Sequence, residues 1–298
     1  MHIHHLNCIS SCPLGGHLMD GKKGSILQRG HLTNHCQLIE TESGLILVDT
    51  GFGLNDVREP QERLSSFFLK LLKPEFREEL TAIRQIEALG YDPKDVRHII
   101  LTHLDFDHAG GLDDFPWAQV HLMEAEQDCA LMQKTWLDRQ RYRPAQWRNR
   151  TKWHVYRPST GESWYGLKRV QKLYGISDDI TLVPLVGHTF GHAGVAMRNN
   201  SQWLLNAGDA YFYHKEMSLT PSCTPGLTFY QNMMEKDHEQ RIHNQEMLRD
   251  IKHLNGEEVE IFCSHDVVEF ERLAGRSVEI GSEHFLNKVG ADEYHRAN

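Results

Sequence analysis

Short apolar runs recur along most of the chain, and each is closed by polar or glycine-containing residues. Runs of this length, rich in Val, Ile and Leu, predict buried strands. They fall at 2–7, 34–40, 45–49, 96–101, 118–123, 180–186, 195–198, 202–206 and 259–263. Thr41-Glu42-Ser43-Gly44 and Asn199-Asn200-Ser201 are turn sequences, which make hairpins of the strands on either side of them. Residues 59–72, 75–89, 124–139 and 237–254 have helical spacing, with Pro74 separating the first two and Gly90 placed as a C-cap. Strands alternating with helices predict an α/β protein. No internal repeat or dividing linker interrupts residues 1–298, so one domain is expected.

One stretch departs from this pattern. Between 134 and 173, Arg139, Arg141, Arg143, Arg148, Arg150, Lys152 and Arg157 interleave with Trp136, Tyr142, Trp147, Trp153, Tyr156, Trp164 and Tyr165. Pro144 and Pro158 break any long helix there. The stretch reads as a solvated connector, as an inserted lid over an apolar or anionic substrate, or as a basic–aromatic groove for single-stranded nucleic acid. The net charge of −9 weighs against the last and against general nucleic-acid binding.

No apolar run is long enough to span a bilayer. The first residues lack the basic and apolar regions of a secretory signal. Six scattered cysteines in a chain of 298 residues argue against a disulfide framework. Cys8-x-x-x-Cys12 is only a weak metal or redox signal. Reduced thiols in a cytoplasmic protein are the expectation. Oligomeric state is not readable from the chain, which leaves a homo-oligomer open.

The candidate chemistry gathers where strands end. Thr102-His103-Leu104-Asp105-Phe106-Asp107-His108-Ala109-Gly110-Gly111 follows the apolar run 96–101 and packs four metal-ligand types, His103, Asp105, Asp107 and His108, into six residues. Alternation along an extended chain starts His103, Asp105 and Asp107 on one side, and the turn toward the glycines can swing His108 across. Mixed imidazole and carboxylate suits zinc, and also iron or manganese. Further candidates, His188, Asp209 and His265, also stand just past strands. Asp49, in Val48-Asp49-Thr50-Gly51, is placed to be held at the sheet edge by backbone donors. Any one of these alone is more simply a capping or satisfied polar residue. Their recurrence at equivalent places points to one shared site.

Together these segments resemble a metallo-β-lactamase-fold hydrolase. The residues that carry the likeness are Asp49 after its strand, the Thr-His-x-His-x-Asp-His motif at Thr102 to His108, Gly187-His188-Thr189-Phe190-Gly191-His192, Gly208-Asp209, and His265 after the last core strand. The resemblance implies an α/β (α+β) four-layer αβ/βα sandwich with two divalent metal ions at one edge. It implies one ion held by His103, Asp105 and His188, a second held by Asp107, His108 and His265, and Asp209 between them. Asp105 is the departure, since most relatives have His there. A carboxylate at this position lowers the formal charge of the loaded site by one. This is expected to weaken the ions as Lewis acids and to favour iron or manganese beside zinc.

Such a centre would acidify a shared water and polarise a carbonyl or phosphoryl oxygen. Asp107 is placed to take a proton from the attacking water and pass it to the leaving atom. Tyr211 and Tyr213 are candidate oxyanion donors. In related quorum-quenching lactonases the tyrosine stands three residues past the bridging Asp, and here that position is Phe212. Leu89-Gly90-Tyr91-Asp92-Pro93 and Leu104 to Gly111 look most like the N-acyl homoserine lactonase group. The expected reaction is hydrolysis of a lactone or other carboxylic ester, a small molecule with an apolar part. A glyoxalase II-like thioesterase, a phosphodiesterase or nuclease, and a di-iron redox protein stay open as alternatives, and a non-catalytic metal-binding regulator less so.

Overall fold

The computed structural model describes residues 1–22, 25–148, 152–157 and 162–278. Twelve strands form two six-stranded sheets. The first sheet runs in chain order through β1 (His2–Asn7), β2 (His35–Thr41), β3 (Gly44–Val48), β4 (Val96–Ile100), β5 (Gln119–Met123) and β6 (Trp153–Tyr156). The second contains β7 (Glu162–Trp164), β8 (Leu167–Lys172), β9 (Ile180–Pro184), β10 (Ala193–Asn199), β11 (Gln202–Asn206) and β12 (Val259–Phe262), in the order β12-β11-β10-β9-β8-β7.

Side chains alternate across a strand, and here both faces of the central strands are apolar. Leu45 and Leu47 of β3 and Ile99 of β4 face a cluster that includes Ala82, Ile86 and Ala130 from flanking helices. Ile46, Val48 and Ile100 face the other way and meet Leu182, Val195, Met197 and Phe262 of the second sheet. That sheet's outer face, with Val183, Ala196, Leu205 and Ile261, packs on Leu248 and Ile251 of helix His238–Leu254. Two sheets back to back with helices outside make the expected αβ/βα sandwich.

Strand direction decides where the polar residues go. β3 and β4 are parallel, as are β11 and β12. β9 and β11 are both antiparallel to β10 and so run the same way. Asp49, Thr102, His188, Asp209 and His265 therefore all lie just past the C-terminal ends of strands. Gly208 reaches this edge with φ +55°, and a Cβ there would press on His192 Nε2 and Thr102 Cβ. Only glycine suits both the backbone angle and the space.

Several expectations about local structure are corrected. The helical stretch 59–72 is broken into Pro60–Arg63 and Ser66–Leu72, preceded by a further short helix Leu54–Arg58; Ser66–Leu72 is capped by the Ser65 hydroxyl, which accepts from Phe68 N at 3.2 Å. The stretch 124–139 is two helices, Glu124–Met132 and Trp136–Arg141, parted by Gln133 at φ 41° and restarted by a Thr135–Asp138 capping box. The described residues of the 134–173 stretch supply β6 to one sheet and β7 and β8 to the other, so this stretch is the crossover between them. Short edge strands with one solvated face carry Arg and Lys freely, and this composition hides them among loops. Arg150 lies outside the described residues. All six cysteines are free thiols, and among the described residues no helix is long and apolar enough to cross a membrane.

Gly191 closes the turn between β9 and β10, where a Cβ would overlap the backbone nitrogen of Glu126. Backbone cannot step aside as a flexible side chain can. Gly191→Ala is expected to destabilise the fold by about 1–3 kcal/mol, read as a lowered midpoint in urea unfolding at fixed metal concentration. An unchanged midpoint would show that this turn tolerates a methyl group.

Candidate metal centre

The turn after β4 delivers four of the expected ligands, and the turns after β9, β11 and β12 deliver the other three. His103, Asp105, Asp107, His108, His188, Asp209 and His265 are all buried. They fall into overlapping groups able to hold a metal ion: His103 with Asp105 and His188, Asp107 with His108 and His265, and His103 with His108 and Asp209. His103 Nε2 lies 3.4 Å from Asp105 Oδ2 and 3.7 Å from Asp209 Oδ2. His188 Nε2 is 3.1 Å from Asp105 Oδ2 and 3.4 Å from Asp209 Oδ2. The other Asp209 oxygen, Oδ1, lies 3.3 Å from His108 Nε2 and 3.1 Å from His265 Nε2. His265 Nε2 is 3.9 Å from Asp107 Oδ2. Asp209 thus stands between the two groups, with its Oδ2 also 3.3 Å from His265 Nε2.

These spacings suit a cation. Ligand atoms about 2.0–2.1 Å from a tetrahedral ion stand roughly 3.3 Å apart. His103 Nε2, His108 Nε2 and Asp209 Oδ1 are buried without a hydrogen-bond partner, which is costly unless something else satisfies them.

Three of the imidazoles are oriented from behind. His108 Nδ1 donates to Asp49 Oδ2 at 2.9 Å, and His265 Nδ1 donates to the Thr33 carbonyl at 2.7 Å. His103 Nδ1 is 2.9 Å from the Thr102 hydroxyl, which itself donates to Asp49 Oδ2 at 2.8 Å. Donation at Nδ1 leaves Nε2 free as an acceptor. Asp49 also accepts from Thr102 N at 2.8 Å, as its position at the sheet edge led one to expect. His192 stays out of the ligand set. Its Nδ1 donates to the Leu185 carbonyl at 2.8 Å, and its Nε2 accepts from Asp209 N at 2.9 Å. Burial lowers its pKa to about 3, so it is neutral and fixes the loop that presents Asp209.

The two tyrosines singled out in the sequence do not join the cluster. Tyr211 is fully buried and its hydroxyl donates to the Glu269 carboxylate at 3.0 Å. Glu269 is itself pushed up to about 7 by burial and by the charge of Asp266. Tyr213 places its hydroxyl against Gly21. Among the described residues, no hydrogen bond joins either hydroxyl to any of the seven expected ligands. Tyr211 lies past the end of β11 and packs into the core with Ala210 and Met217. Phe212 instead stacks on His265 at 5.0 Å and approaches His188 at 5.8 Å.

Three residues not singled out as site residues sit behind or beside the cluster. Arg141 ends helix Trp136–Arg141, is wholly buried, and clasps Asp105 through Nε–Oδ1 and Nη2–Oδ2 contacts of 2.6 Å each. Glu126 accepts from Leu104 N at 2.9 Å and from the Thr189 hydroxyl at 2.5 Å, tying the two histidine turns together. Tyr230, on helix Pro225–Met234, is nearly buried, and burial plus the charges of Asp107, Asp105 and Asp209 push its pKa well up. Its ring packs against Phe212 at 5.7 Å. The Arg141 clasp corrects the charge count made from the sequence. Burial opposes ionisation of Asp105, but the guanidinium overrides it and holds the carboxyl well below the usual range. The pair sums to zero, so the Asp105 departure does not lower the total charge.

A model of the metallo-beta-lactamase superfamily matches residues 29–240. A probable metallo-hydrolase of Mycobacterium tuberculosis is 36% identical over 264 residues, 89% of this chain and 80% of that protein. An N-acyl homoserine lactonase of Bacillus cereus is 34% identical over 129 residues, 42% of this chain and 52% of that protein. A solved N-acyl homoserine lactone hydrolase, with the product N-hexanoyl-L-homoserine at its catalytic metal centre, superposes with a TM-score of 0.67 at 22% identity, covering 93% of this chain and 97% of that one.

Asp49 joins three donors behind the site. Asp49→Asn keeps the size of the side chain and loses the charge that orients His108. Metal affinity is expected to fall about 10–100-fold, measured by competition with a chromophoric chelator. Affinity equal to wild type would remove Asp49 from the site's architecture.

Proposed function

Because this chain belongs to the metallo-beta-lactamase superfamily and is a metal-dependent hydrolase, we propose that it opens a lactone, or cleaves a related carboxylic ester, whose acyl part is apolar. The observation that carries the reading is the apolar packing beside the ligands. Phe106, Phe212, Leu227, Tyr230 and Met234 form one apolar cluster with Phe52 and Phe68. Phe212 from that cluster touches His188 and His265 directly. A site with cation ligands on one side and aromatic and aliphatic carbon on the other suits an ester joined to a hydrocarbon chain. The Bacillus relatives and the superposed lactone hydrolase support this choice of substrate class.

His103, Asp105 and His188 would hold one divalent ion, and Asp107, His108 and His265 a second, with Asp209 shared. Zinc, iron or manganese suits these donors. Bound there, the ions would supply Lewis-acid polarisation of the ester carbonyl and acidify a water. Asp107 accepts the proton released by the attacking water and returns it to the leaving oxygen. Burial raises the Asp107 pKa, which favours such a proton-carrying role. Tyr230, on helix Pro225–Met234 and packed against Phe212 at 5.7 Å, takes the oxyanion-donor role in this reading. Phe212 walls the apolar side and keeps water from it.

The basic residues at 134–173 give little support to an anionic substrate. Arg141 is taken by Asp105, Arg143 donates to the carbonyls of Arg63 and Arg139, Lys152 to that of Trp117, and Arg157 pairs with Glu124. A glutathione-like thioester or a nucleic acid would need such charges facing the site.

Initial rates on matched panels of lactones, oxygen esters and thioesters, at equal metal loading, test the reading. Lactones with a medium-length acyl chain are expected to be the best substrates, and thioester preference would overturn the assignment. Tyr230→Phe is expected to lower kcat by about 10²-fold with a small change in KM. A change confined to KM would make Tyr230 a binding contact only.

A further inference from the structure

Arg141 also touches a second ligand. The same Nη2 that bonds Asp105 lies 2.7 Å from His188 Nε2. Its Nη1 donates to the Met234 carbonyl at 2.7 Å, so the guanidinium is anchored in place from two sides. An imidazole nitrogen has one lone pair in the plane of the ring. At His188 that lone pair already faces an arginine donor. His188 is also the one imidazole of the four without a partner behind it: its Nδ1 is buried and unbonded, whereas His103, His108 and His265 have Thr102, Asp49 and the Thr33 carbonyl.

The charges divide in the same way. In the group of His103, Asp105 and His188, the guanidinium cancels the carboxylate of Asp105 and leaves only the shared oxygen of Asp209. In the group of Asp107, His108 and His265, the Asp107 carboxylate has no arginine or lysine bonded to it among the described residues. A divalent ion entering the first group must displace Arg141 from His188 and share Asp105 with a fixed positive charge. An ion entering the second group meets a carboxylate and two imidazoles whose Nε2 atoms face Asp209 and not a fixed positive charge.

We infer that Arg141 is a positioning residue that makes the two cation positions unequal, so that the Asp107–His108–His265 position binds tightly and the His103–Asp105–His188 position binds weakly. This rests on the reading that divalent ions occupy both groups. Arg141 thereby acts as a resident cation beside Asp105, and occupancy of the weak position follows the free metal concentration.

Zinc titration of chelator-treated protein, followed by calorimetry and by competition with a chromophoric chelator, reads the inequality without any substrate. Two binding steps of one equivalent each are expected, their affinities differing by at least about 10–100-fold. Arg141→Leu alone leaves Asp105 buried and uncompensated, which can prevent folding of the metal-free chain. The paired change Asp105→His with Arg141→Leu removes both charges together. It is expected to fold and to bind two equivalents with nearly equal affinity. A circular dichroism spectrum matching wild type confirms the fold before titration. Two equal tight steps in the wild-type protein would overturn the inference, and so would a double variant that keeps the weak step. Neither result depends on which ester is hydrolysed. Failure on the lactone panel with both positions filled would instead refute the proposed substrate.

Discussion

Three carboxylates and four imidazoles are buried together at one edge of a sandwich of apolar sheets, and that concentration of lone pairs is the constraint on everything near it. Buried acceptors facing one another are unstable unless a positive charge sits among them. The chain answers in two ways. Around Asp107, His108 and His265 it leaves free nitrogens and oxygens at the spacing of a divalent ion's ligands. Around Asp105 it supplies a cation of its own, the wholly buried guanidinium of Arg141.

The scaffold makes this edge possible because its strands agree in direction. Parallel pairs β3–β4 and β11–β12 end together, and β9 joins them by running antiparallel to β10. Interdigitated Ile, Val, Met and Phe between the sheets hold those ends in register. The turns can then be given over to polar residues, braced from behind by Asp49, Glu126, His192 or the Thr33 carbonyl. A ligand turn without such bracing would lose the fixed ring orientation that metal binding depends on.

The same edge joins chemistry to substrate choice. Phe212 stands where a related lactonase carries tyrosine and packs flat on His265. The aromatic cluster beneath helix Pro225–Met234 continues from it. Tyr230, from that helix, packs on Phe212 at 5.7 Å.

Most of the fold and the ligand set can be read from the residues alone. Strands such as 45–49 and 96–101 carry their burial in their own composition, and His103 to His108 form a dense cluster because one turn holds them all. These are local properties, and so is the appearance of His188, Asp209 and His265 just past apolar runs. What the folded chain alone decided are the long-range pairings. Arg141 meets Asp105 across 36 positions of sequence, after a helix break at Gln133 that shifts the register of the segment bearing it. An aspartate where histidine is usual could have prompted a search for a partner cation, but seven basic residues between 139 and 157 offered no way to choose among them. Tyr211 turned into the core and Tyr230 toward the site because packing, rather than distance from Asp209 along the chain, sets where a phenol points. The strands β6 to β8, at or next to the sheet edges, were hidden for a related reason: their solvated residues give them the composition of a loop, and only pairing with a neighbouring strand makes them part of a sheet.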